Sequence, residues 1–202
     1  MAADKPDMPN GSHPAAAPAA LLLAEIERLK AELIQAEWKI AELEERADVD
    51  SLLDILNRRG FDRELARSLA YVKRYGTAAA LIFIDLDCFK AINDRHGHAA
   101  GDVLLKAVVA GIKAHVRASD VVARFGGDEF AALLWNLGEA QARAKAHELE
   151  NIIAATAVTY GAARLSVGAS AGSVPLDGEA SPDAILEAAD QAMYARKKEK
   201  RG

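Results

Sequence analysis

A pair of acidic residues follows two adjacent glycines in the segment Arg124-Phe-Gly-Gly-Asp-Glu-Phe130. Apolar runs flank Gly126-Gly127, which is the pattern of a β-hairpin whose two turn residues adopt positive φ angles. We expect this turn to place Asp128 and Glu129 at the start of the returning strand, with one carboxylate pointing to each face of the sheet. The glycines leave the backbone bare enough for a polyphosphate to approach it. A surface hairpin with two solvated acids is the competing interpretation.

A second acidic position lies upstream, at the end of a strand-like segment. Residues 78–84 are continuously apolar, as in a buried central strand, and the run ends at Asp85-Leu86-Asp87. Carboxylates at the end of a buried strand are costly unless a cation meets them. If this strand lies beside the hairpin, Asp85 and Asp128 converge. Hard oxygen ligands from two strands suit Mg²⁺ held jointly with substrate phosphates.

Further motifs occur in order along the chain. They are Asn57-Arg-Arg-Gly-Phe61, Asp85-Leu-Asp-Cys-Phe-Lys90, Asn93-Asp94, Gly97-His98, Gly101-Asp102, the hairpin, Ser166-Val-Gly168, and Asp190-Gln-Ala-Met-Tyr194 with Lys197. Together they resemble the GGDEF domain, the catalytic module of diguanylate cyclases, over residues 50–201. The resemblance implies the palm-like α+β fold that this family shares with nucleotide cyclases and some polymerases. The order of elements alone predicts only an α/β or α+β domain, with a mixed sheet covered mainly on one face.

The resemblance implies an enzyme, a diguanylate cyclase, which joins two GTP molecules into cyclic di-GMP and releases two pyrophosphates. Such a displacement needs charge neutralisation and alignment more than covalent help from the protein. Asp85, Asp128 and Glu129 are the implied catalytic residues, and with the backbone carbonyl of Leu86 they are the implied ligands of Mg²⁺ or Mn²⁺. Glu129 is either a further metal ligand or the acceptor for the proton of the attacking hydroxyl. A hydrogen bond that only steadies the hairpin is its alternative role.

The resemblance also implies which residues bind the GTP substrate. They are Lys90, Asn93, Asp102, Gly126, Gly127, Lys197 and Arg201. Asn93 and Asp102 match the guanine-binding pair, since an amide and a carboxylate complement the acceptors and donors of guanine. Each of these two residues, taken alone, is more often a helix cap. Lys90, Lys197 and Arg201 match the phosphate contacts, although a basic helix end, as at Lys197 and Arg201, also complements the helix dipole for structural reasons.

Arg117-Ala-Ser-Asp120 matches the inhibitory product site of the family in its form and in its distance from the hairpin, with five residues between Asp120 and Gly126. Arginine can bind O6 and N7 of guanine, and aspartate can accept from the N1–H edge. The resemblance therefore implies allosteric inhibition by cyclic di-GMP, whereas such a pair alone is more often a helix-end salt bridge. Family members often carry another arginine on the following helix. Here Glu148 falls at that position, and Arg143 is a candidate substitute.

The composition limits the functions that this chain can have. With 202 residues, of which 51% are hydrophobic, the chain can form one ordinary core and an appendage. A formal net charge of -5 argues against binding long nucleic acid through a basic face. The single cysteine, Cys88, excludes an internal disulfide framework and fits a reducing compartment. No apolar run is long enough to span a bilayer, so we expect a cytoplasmic protein without membrane insertion.

The N-terminal region predicts a flexible tail and then a coiled coil. Residues 1–20 are rich in alanine and proline without periodicity. Over residues 21–47, apolar residues alternate at spacings of four and three, which is the heptad pattern of a coiled coil. Its seam consists of the a positions Ile26, Leu33, Ile40 and Ala47 and the d positions Leu22, Leu29, Ala36 and Leu43. Residues 48–202 would form the GGDEF domain.

Charges beside the seam favour a parallel homodimer. In a parallel pair the contacts would be Glu25 with Lys30 and Lys39 with Glu44, both attractive, and Glu32 with Glu37, which is repulsive. Because one active site holds one GTP, two protomers must face each other for turnover. The coiled coil would raise the effective concentration of the two half-sites. A single amphipathic helix lying on its own domain is the alternative.

Three further positions depart from the usual family pattern. Leu53 and Asp54 stand where threonine and glycine are common, in the turn between the helix and the catalytic module, and Lys200 replaces a glycine. These departures keep a second function open, namely a degenerate GGDEF module that binds GTP or cyclic di-GMP and signals through its coiled coil. A single-site nucleotide cyclase on the same fold is a third interpretation.

Overall fold

The computed structural model describes the backbone of residues 16–201 and the side chains of residues 21–36, 38, 39 and 48–200. Most of the predicted tail at residues 1–20 lies outside this range, as does the side chain of Arg201. The chain divides into two compact units, residues 1–44 and residues 45–202. Within the described part, no helix combines the length and the apolar composition that a membrane crossing requires.

Helix α1 (Ala16–Ala47) contains the described residues of the first unit. Its described seam side chains are exposed, with exposed fractions of 65% for Leu22, 44% for Ile26, 51% for Leu29 and 60% for Leu33. The side chains of the seam positions 40, 43 and 47 lie outside the described residues. On its polar side, Arg28 forms ion pairs with Glu25 and Glu32 at 2.5 Å. A single copy of the helix therefore leaves its apolar stripe in water.

The second unit contains the remaining helices and strands. In chain order they are β1 (Leu56–Asn57), α2 (Arg58–Tyr75), β2 (Ala79–Asp87), α3 (Phe89–His96), α4 (His98–Ala114), β3 (Val121–Arg124), β4 (Glu129–Trp135), α5 (Glu139–Ala155), β5 (Ala157–Tyr160), β6 (Ala163–Ser166), β7 (Gly168–Pro175) and α6 (Pro182–Arg201). Five strands form one sheet in the order β1-β3-β4-β2-β7, and β5 pairs with β6 in a second sheet. Strand β1 is parallel to β3, whereas the other pairs of the larger sheet are antiparallel. The mixed sheet and the central position of β2 are confirmed.

The larger sheet is packed on both faces, so the prediction of cover mainly on one face was wrong. Ile82 and Ile84 of β2 lie in a core cluster with residues of α4 and α5. Leu81 and Phe83 point the other way, into a second cluster with residues of α2 and α6. Because successive side chains of a strand alternate in direction, a continuously apolar strand requires cover on both sides.

Candidate active site

Strands β3 and β4 form the predicted hairpin, but its turn differs from the predicted one. The strands pair as far as Arg124 and Phe130, and the amide of Phe125 donates to the carbonyl of Glu129 at 2.9 Å. The loop is therefore Gly126-Gly127-Asp128, and neither glycine has a positive φ. The prediction of a two-residue turn with positive φ angles was wrong because Asp128 belongs to the loop, which closes without a left-handed residue.

The two loop glycines leave space for neighbouring groups because they have no side chains. A Cβ atom at Gly126 would lie 3.1 Å from Oε2 of Glu129, whereas a Cβ atom at Gly127 would meet nothing within 4 Å. Gly127 is also exposed. The loop thus allows the carboxylate of Glu129 to lie against Gly126, while the backbone at Gly127 stays open to a ligand.

Arg124 fixes the shape of the loop. Its Nε donates to the carbonyl of Gly126 at 2.9 Å, and its Nη2 donates to the carbonyl of Gly127 at 2.8 Å. Its Nη1 donates to Asp50, which itself accepts from the amides of Leu52 and Leu53. A planar guanidinium can make these bonds together because its N–H groups form a rigid fork. One side chain therefore joins the hairpin loop to the turn that precedes β1.

Acidic residues from β2 and the hairpin meet at the same end of the sheet. Asp85 and Glu129 are directly opposed in the β2–β4 pairing, so their side chains leave the same face. The amide of Leu86 donates to the carbonyl of Asp128 at 3.0 Å, which continues the ladder into the loop. Asp85 was expected to converge with Asp128. The register makes Glu129 its direct neighbour and places Asp128 at the adjacent position.

The charge around Glu129 is predominantly negative. Burial raises the pKa of Glu129, and the nearby carboxylates of Asp85, Asp128 and Asp190 raise this pKa further, against the opposing effect of Arg58. No role was predicted from the sequence for Asp190 or Arg58. They belong to α6 and α2, which reach this site only through the fold. Asp190 does lie in a family motif, but its spacing in the sequence does not indicate that it faces Glu129.

The same residues fit a divalent cation that shares its ligands with a substrate. Within the described residues, no three His, Cys, Asp or Glu side chains cluster closely enough to hold a metal ion by themselves. The ammonium group of Lys197 contacts Asp85 at 2.5 Å. Mg²⁺ generally binds through one or two carboxylates plus substrate phosphates, not in an all-protein cage. Hard oxygen donors in a region of excess negative charge therefore suit Mg²⁺ or Mn²⁺ with a phosphorylated ligand.

Packing of α3 against α4 brings Asn93 and Asp102 together. A Cβ atom at Gly101 would clash with Oδ1 of Asn93, so the Asn93 side chain lies directly against the residue that precedes Asp102. Oδ1 of Asn93 is buried and has no hydrogen-bond partner in the described structure. Neither residue caps a helix, because the N-cap of α3 is Cys88 and that of α4 is Gly97. An orphaned buried acceptor requires an explanation, and a hydrogen-bond donor on a bound ligand would satisfy it.

The candidate phosphate-binding residues lie on two helices. Lys90 is exposed in the first turn of α3, immediately after β2. Lys197 extends from α6 to the end of β2, and its side chain is 20% exposed. The structure therefore brings Lys197 to the acidic end of the sheet and leaves Lys90 free to approach a ligand from solvent.

Arg117 and Asp120 lie between α4 and β3. The amides of Arg117 and Trp135 donate to the two carboxylate oxygens of Asp120, at 2.8 and 3.1 Å. The Arg117 side chain is exposed, and within the described residues its guanidinium forms no ion pair with Asp120. The alternative of a helix-end salt bridge is therefore not observed. Cavities of about 540 and about 280 Å³ adjoin the two residues.

Arg143 does not face these cavities. It pairs with Glu139 and lines a different cavity with His147 and Arg196. Lys145 is the α5 cation that lines the 280 Å³ cavity with Arg117. Residues two apart in a helix point in nearly opposite directions, so Arg143 and Lys145 do not line the same cavity of one chain. That Arg143 replaces the customary second arginine stays a prediction.

The family model for "Diguanylate cyclase, GGDEF domain" matches residues 47–202. The chain belongs to the GGDEF-domain family. Among curated relatives, the diguanylate cyclase TpbB of Pseudomonas aeruginosa is 39% identical over 188 residues, which cover 90% of this chain and 41% of the relative. The diguanylate cyclase DgcP of the same species is 35% identical over 154 residues, which cover 76% of this chain and 23% of the relative. The chain thus spans less than half the length of these relatives.

Solved GGDEF structures have the same fold. A sensory box/GGDEF family protein from Caulobacter crescentus matches with a TM-score of 0.70 and 35% identity, over 75% of this chain and 99% of that one. The coiled coil and GGDEF domain of DgcB from the same species, in complex with c-di-GMP, match with a TM-score of 0.71 and 27% identity. That match covers 88% of this chain and 94% of the chain in that structure.

Two of the departures of this GGDEF domain from the usual pattern have a local explanation. Asp54 adopts a φ of 50°, in the left-handed region that glycine enters without a steric penalty and that aspartate tolerates better than most residues. The turn is therefore kept although glycine is absent. Leu53 is 7% exposed and belongs to the core cluster beneath α4 and α5, so it contributes apolar packing where threonine is customary.

Proposed function

We propose that this chain is a diguanylate cyclase that condenses two GTP molecules into cyclic di-GMP and releases two pyrophosphates. The observation that carries the proposal is the opposition of Asp85 and Glu129 across β2 and β4, with Asp128 in the adjoining loop. Helix α3, which carries Asn93, begins directly after β2. A carboxylate cluster is thus combined with a polar pair that is suited to guanine. The names of the relatives TpbB and DgcP support the same activity.

The acidic residues would act in the phosphoryl-transfer step. Asp85, Asp128, Glu129 and the carbonyl of Leu86 would hold Mg²⁺ or Mn²⁺ together with the GTP phosphates. A bound divalent ion neutralises the charge that develops on the α-phosphate and the leaving pyrophosphate. Alternatively, Glu129 would accept the proton of the attacking 3′-hydroxyl, because its carboxylate lies opposite Asp85 at the acidic end of the sheet.

The polar residues of α3 and α4 would bind the base. The carboxylate of Asp102 accepts from the N1–H and N2–H₂ groups of guanine, and the Asn93 amide binds at its acceptors. The buried Oδ1 of Asn93 has no partner in the described structure and, as an acceptor, would need an N–H donor of the ligand, whereas the amide nitrogen would donate to the guanine acceptors. Lys197, Lys90, Arg201 and the open backbone at Gly126-Gly127 would bind the phosphates. Lys197 would then exchange its contact with Asp85 for the triphosphate.

Turnover would require two protomers, held together by α1. Each site holds one GTP, and each 3′-hydroxyl attacks the nucleotide of the partner. The exposed seam of α1 supports pairing with a second copy, because a stripe of leucine and isoleucine left in water is unfavourable. The similarity to DgcB, whose structure comprises a coiled coil and a GGDEF domain, supports the same arrangement.

Cyclic di-GMP would also inhibit the enzyme through Arg117 and Asp120. The Arg117 guanidinium is exposed and unpaired with Asp120, so it can bind the guanine O6 and N7. Lys145 lines the adjoining cavity and adds a second positive charge for the product phosphates. The complex of DgcB with c-di-GMP supports product binding within the family.

The proposal is tested by incubating the purified chain with GTP and Mg²⁺ and identifying the product by mass spectrometry. We expect cyclic di-GMP from the unmodified chain, none from Asp128→Ala, and relief of product inhibition in Arg117→Ala. Glu179→Ala is a matched control, since that acidic side chain is 77% exposed and pairs only with Lys73 among the described residues. GTP binding without turnover would favour the degenerate module, and cyclic GMP would identify a single-site cyclase. Undiminished activity in Asp128→Ala would overturn the metal assignment.

A further inference from the structure

Glu150 of α5 is a buried acid outside the site described above. It is 5% exposed. Its Oε1 accepts from the amide of Ala171 in the edge strand β7 at 2.9 Å. Its carboxylate also pairs with Arg196 at 3.0 Å and with Lys200 at 3.0 Å. One carboxylate thus satisfies a backbone amide of the sheet edge and two cations of α6.

The two cations come from the same end of α6 as Lys197. Arg196 immediately precedes Lys197, and Lys200 lies one helical turn after Arg196. Lys200 also contacts the carbonyl of Ala169 in β7. Lys197 extends in another direction, to Asp85 of β2 at 2.5 Å. The last turns of α6 are therefore attached both to the β7 edge and to the acidic end of β2.

Strand register links these two attachments. Ala169 and Ala171 of β7 pair with Leu86 and Ile84 of β2, on either side of Asp85. A shift of β7 or of the end of α6 would therefore change the distance between Lys197 and Asp85. Burial raises the pKa of Glu150, but the hydrogen bonds from Arg196, Ala171 and Lys200 outweigh burial and hold this pKa below its usual range. The anchor is thus ionised at neutral pH.

We propose that Glu150 is a positioning residue, which anchors the end of α6 through Arg196 and Lys200 so that Lys197 is directed at the triphosphate. This inference rests on the proposed function. It also accounts for Lys200 at a position where glycine is customary, because a lysine here reaches both Glu150 and β7. Removing the Glu150 charge should weaken triphosphate binding selectively, since guanine recognition by α3 and α4 does not depend on α6.

The test compares the dissociation constants of two probes in Glu150→Gln. One probe is the α,β-methylene analogue of GTP, and the other is GMP, which lacks the β- and γ-phosphates. We expect binding of the triphosphate to weaken roughly tenfold, as is typical when a partner that orients a ligand is removed, with little change for GMP. Lys200→Met, which keeps the apolar stem, should show the same selectivity. Glu179→Gln, whose side chain is 77% exposed and pairs with Lys73, is the matched control.

Two further measurements separate positioning from general stability. The double variant Glu150→Gln with Lys197→Met should bind the triphosphate no worse than Lys197→Met alone, because both substitutions remove the same contribution. Hydrogen exchange of the amides of residues 197–201 should accelerate in Glu150→Gln but not in Glu179→Gln.

Equal weakening of both probes, or additive effects in the double variant, would overturn the positioning role. If Glu150→Gln does not fold, the dissociation constants of the two probes in Lys200→Met test the positioning role instead. An unmodified chain that binds neither probe would instead overturn the proposed function.

Discussion

Arg124 and Asp50 form an ion pair at 3.2 Å that connects the hairpin loop to the turn before β1. Both side chains are only 17% exposed. The same guanidinium donates to the carbonyls of Gly126 and Gly127, so the loop that carries Asp128 depends on this arginine for its shape. A conformational change in the turn before β1 would therefore be transmitted to the hairpin loop through one side chain.

We expect Arg124→Lys to lower the free energy of unfolding by about 2 kcal/mol, since a lysine can replace only part of this charge-assisted fork. Urea denaturation measures this loss, and cyclic di-GMP formation should fall in parallel. Arg143→Lys is the control, because the ion pair of Arg143 with Glu139 is 67% exposed on both sides and should contribute about 0–1 kcal/mol. Equal losses in the two variants would contradict the role given to Arg124.

Gly101→Ala should weaken guanine binding. A methyl group at this position would displace the Asn93 side chain, which is packed against Gly101. We expect GMP affinity to fall about tenfold, measured by calorimetry. Gly111→Ala in the same helix is the matched control, because its Cβ would lie 3.3 Å from Cγ2 of Ile152 and would meet no atom of Asn93 within 4 Å. Normal GMP binding by the Gly101→Ala variant would show that Asn93 does not contact the base.

Asp54→Gly should stabilise the domain. Asp54 has a φ of 50°, and a non-glycine residue in this region carries a steric cost of about 1–2 kcal/mol. Glycine removes this cost, but it also increases the conformational entropy of the unfolded chain, which offsets part of the gain. The expected net gain is therefore up to about 1 kcal/mol, measured by urea denaturation. Asp94→Gly, inside helix α3, should be destabilising instead by about 1 kcal/mol. A loss of stability at position 54 would mean that the aspartate side chain stabilises the turn.

Local sequence patterns predicted β2 and the hairpin. A strand that is buried on both faces has a continuous apolar sequence, and paired glycines mark a turn. The opposition of Asp85 and Glu129 could not be predicted, since register depends on the loop length, and Asp128 proved to be part of the loop. The contact between Glu150 and Arg196 was also missed. Their helices meet across the edge of β7. The spacing of the two residues along the sequence does not indicate that they are in contact.

The Glu150 anchor should make stability dependent on pH. Burial raises the pKa of Glu150, but the hydrogen bonds from Arg196, Ala171 and Lys200 lower this pKa by more than burial raises it. The folded pKa therefore lies below the unfolded value of about 4.3. Such a group stabilises the fold above the unfolded pKa, and this contribution is lost as the pH falls through the folded pKa.

The difference in unfolding free energy between the unmodified chain and Glu150→Gln should therefore be largest near neutral pH and should shrink below about pH 4. Urea titrations at several pH values measure it, with Glu148→Gln as the control. A difference that did not change with pH would show that the charge of Glu150 is not the source of its effect.

The heptad interpretation of α1 can be tested with two adjacent residues. Leu33 and Ile34 are almost equally exposed in the single chain, at 60% and 53%, and only Leu33 belongs to the seam. We expect Leu33→Glu to produce monomers in analytical ultracentrifugation, because it would place two carboxylates at one a layer of a parallel pair. Ile34→Glu should remain dimeric.

Specific activity at low protein concentration should fall about a hundredfold or more in Leu33→Glu, since a tether of this kind supplies an effective concentration in the millimolar range. Raising the protein concentration should restore activity, because the half-sites themselves are unchanged. Deletion of residues 1–47 should behave in the same way. Equal losses in Leu33→Glu and Ile34→Glu would show that the apolar stripe of α1 does not pair in the predicted register. Undiminished activity in both variants would show that turnover does not depend on α1.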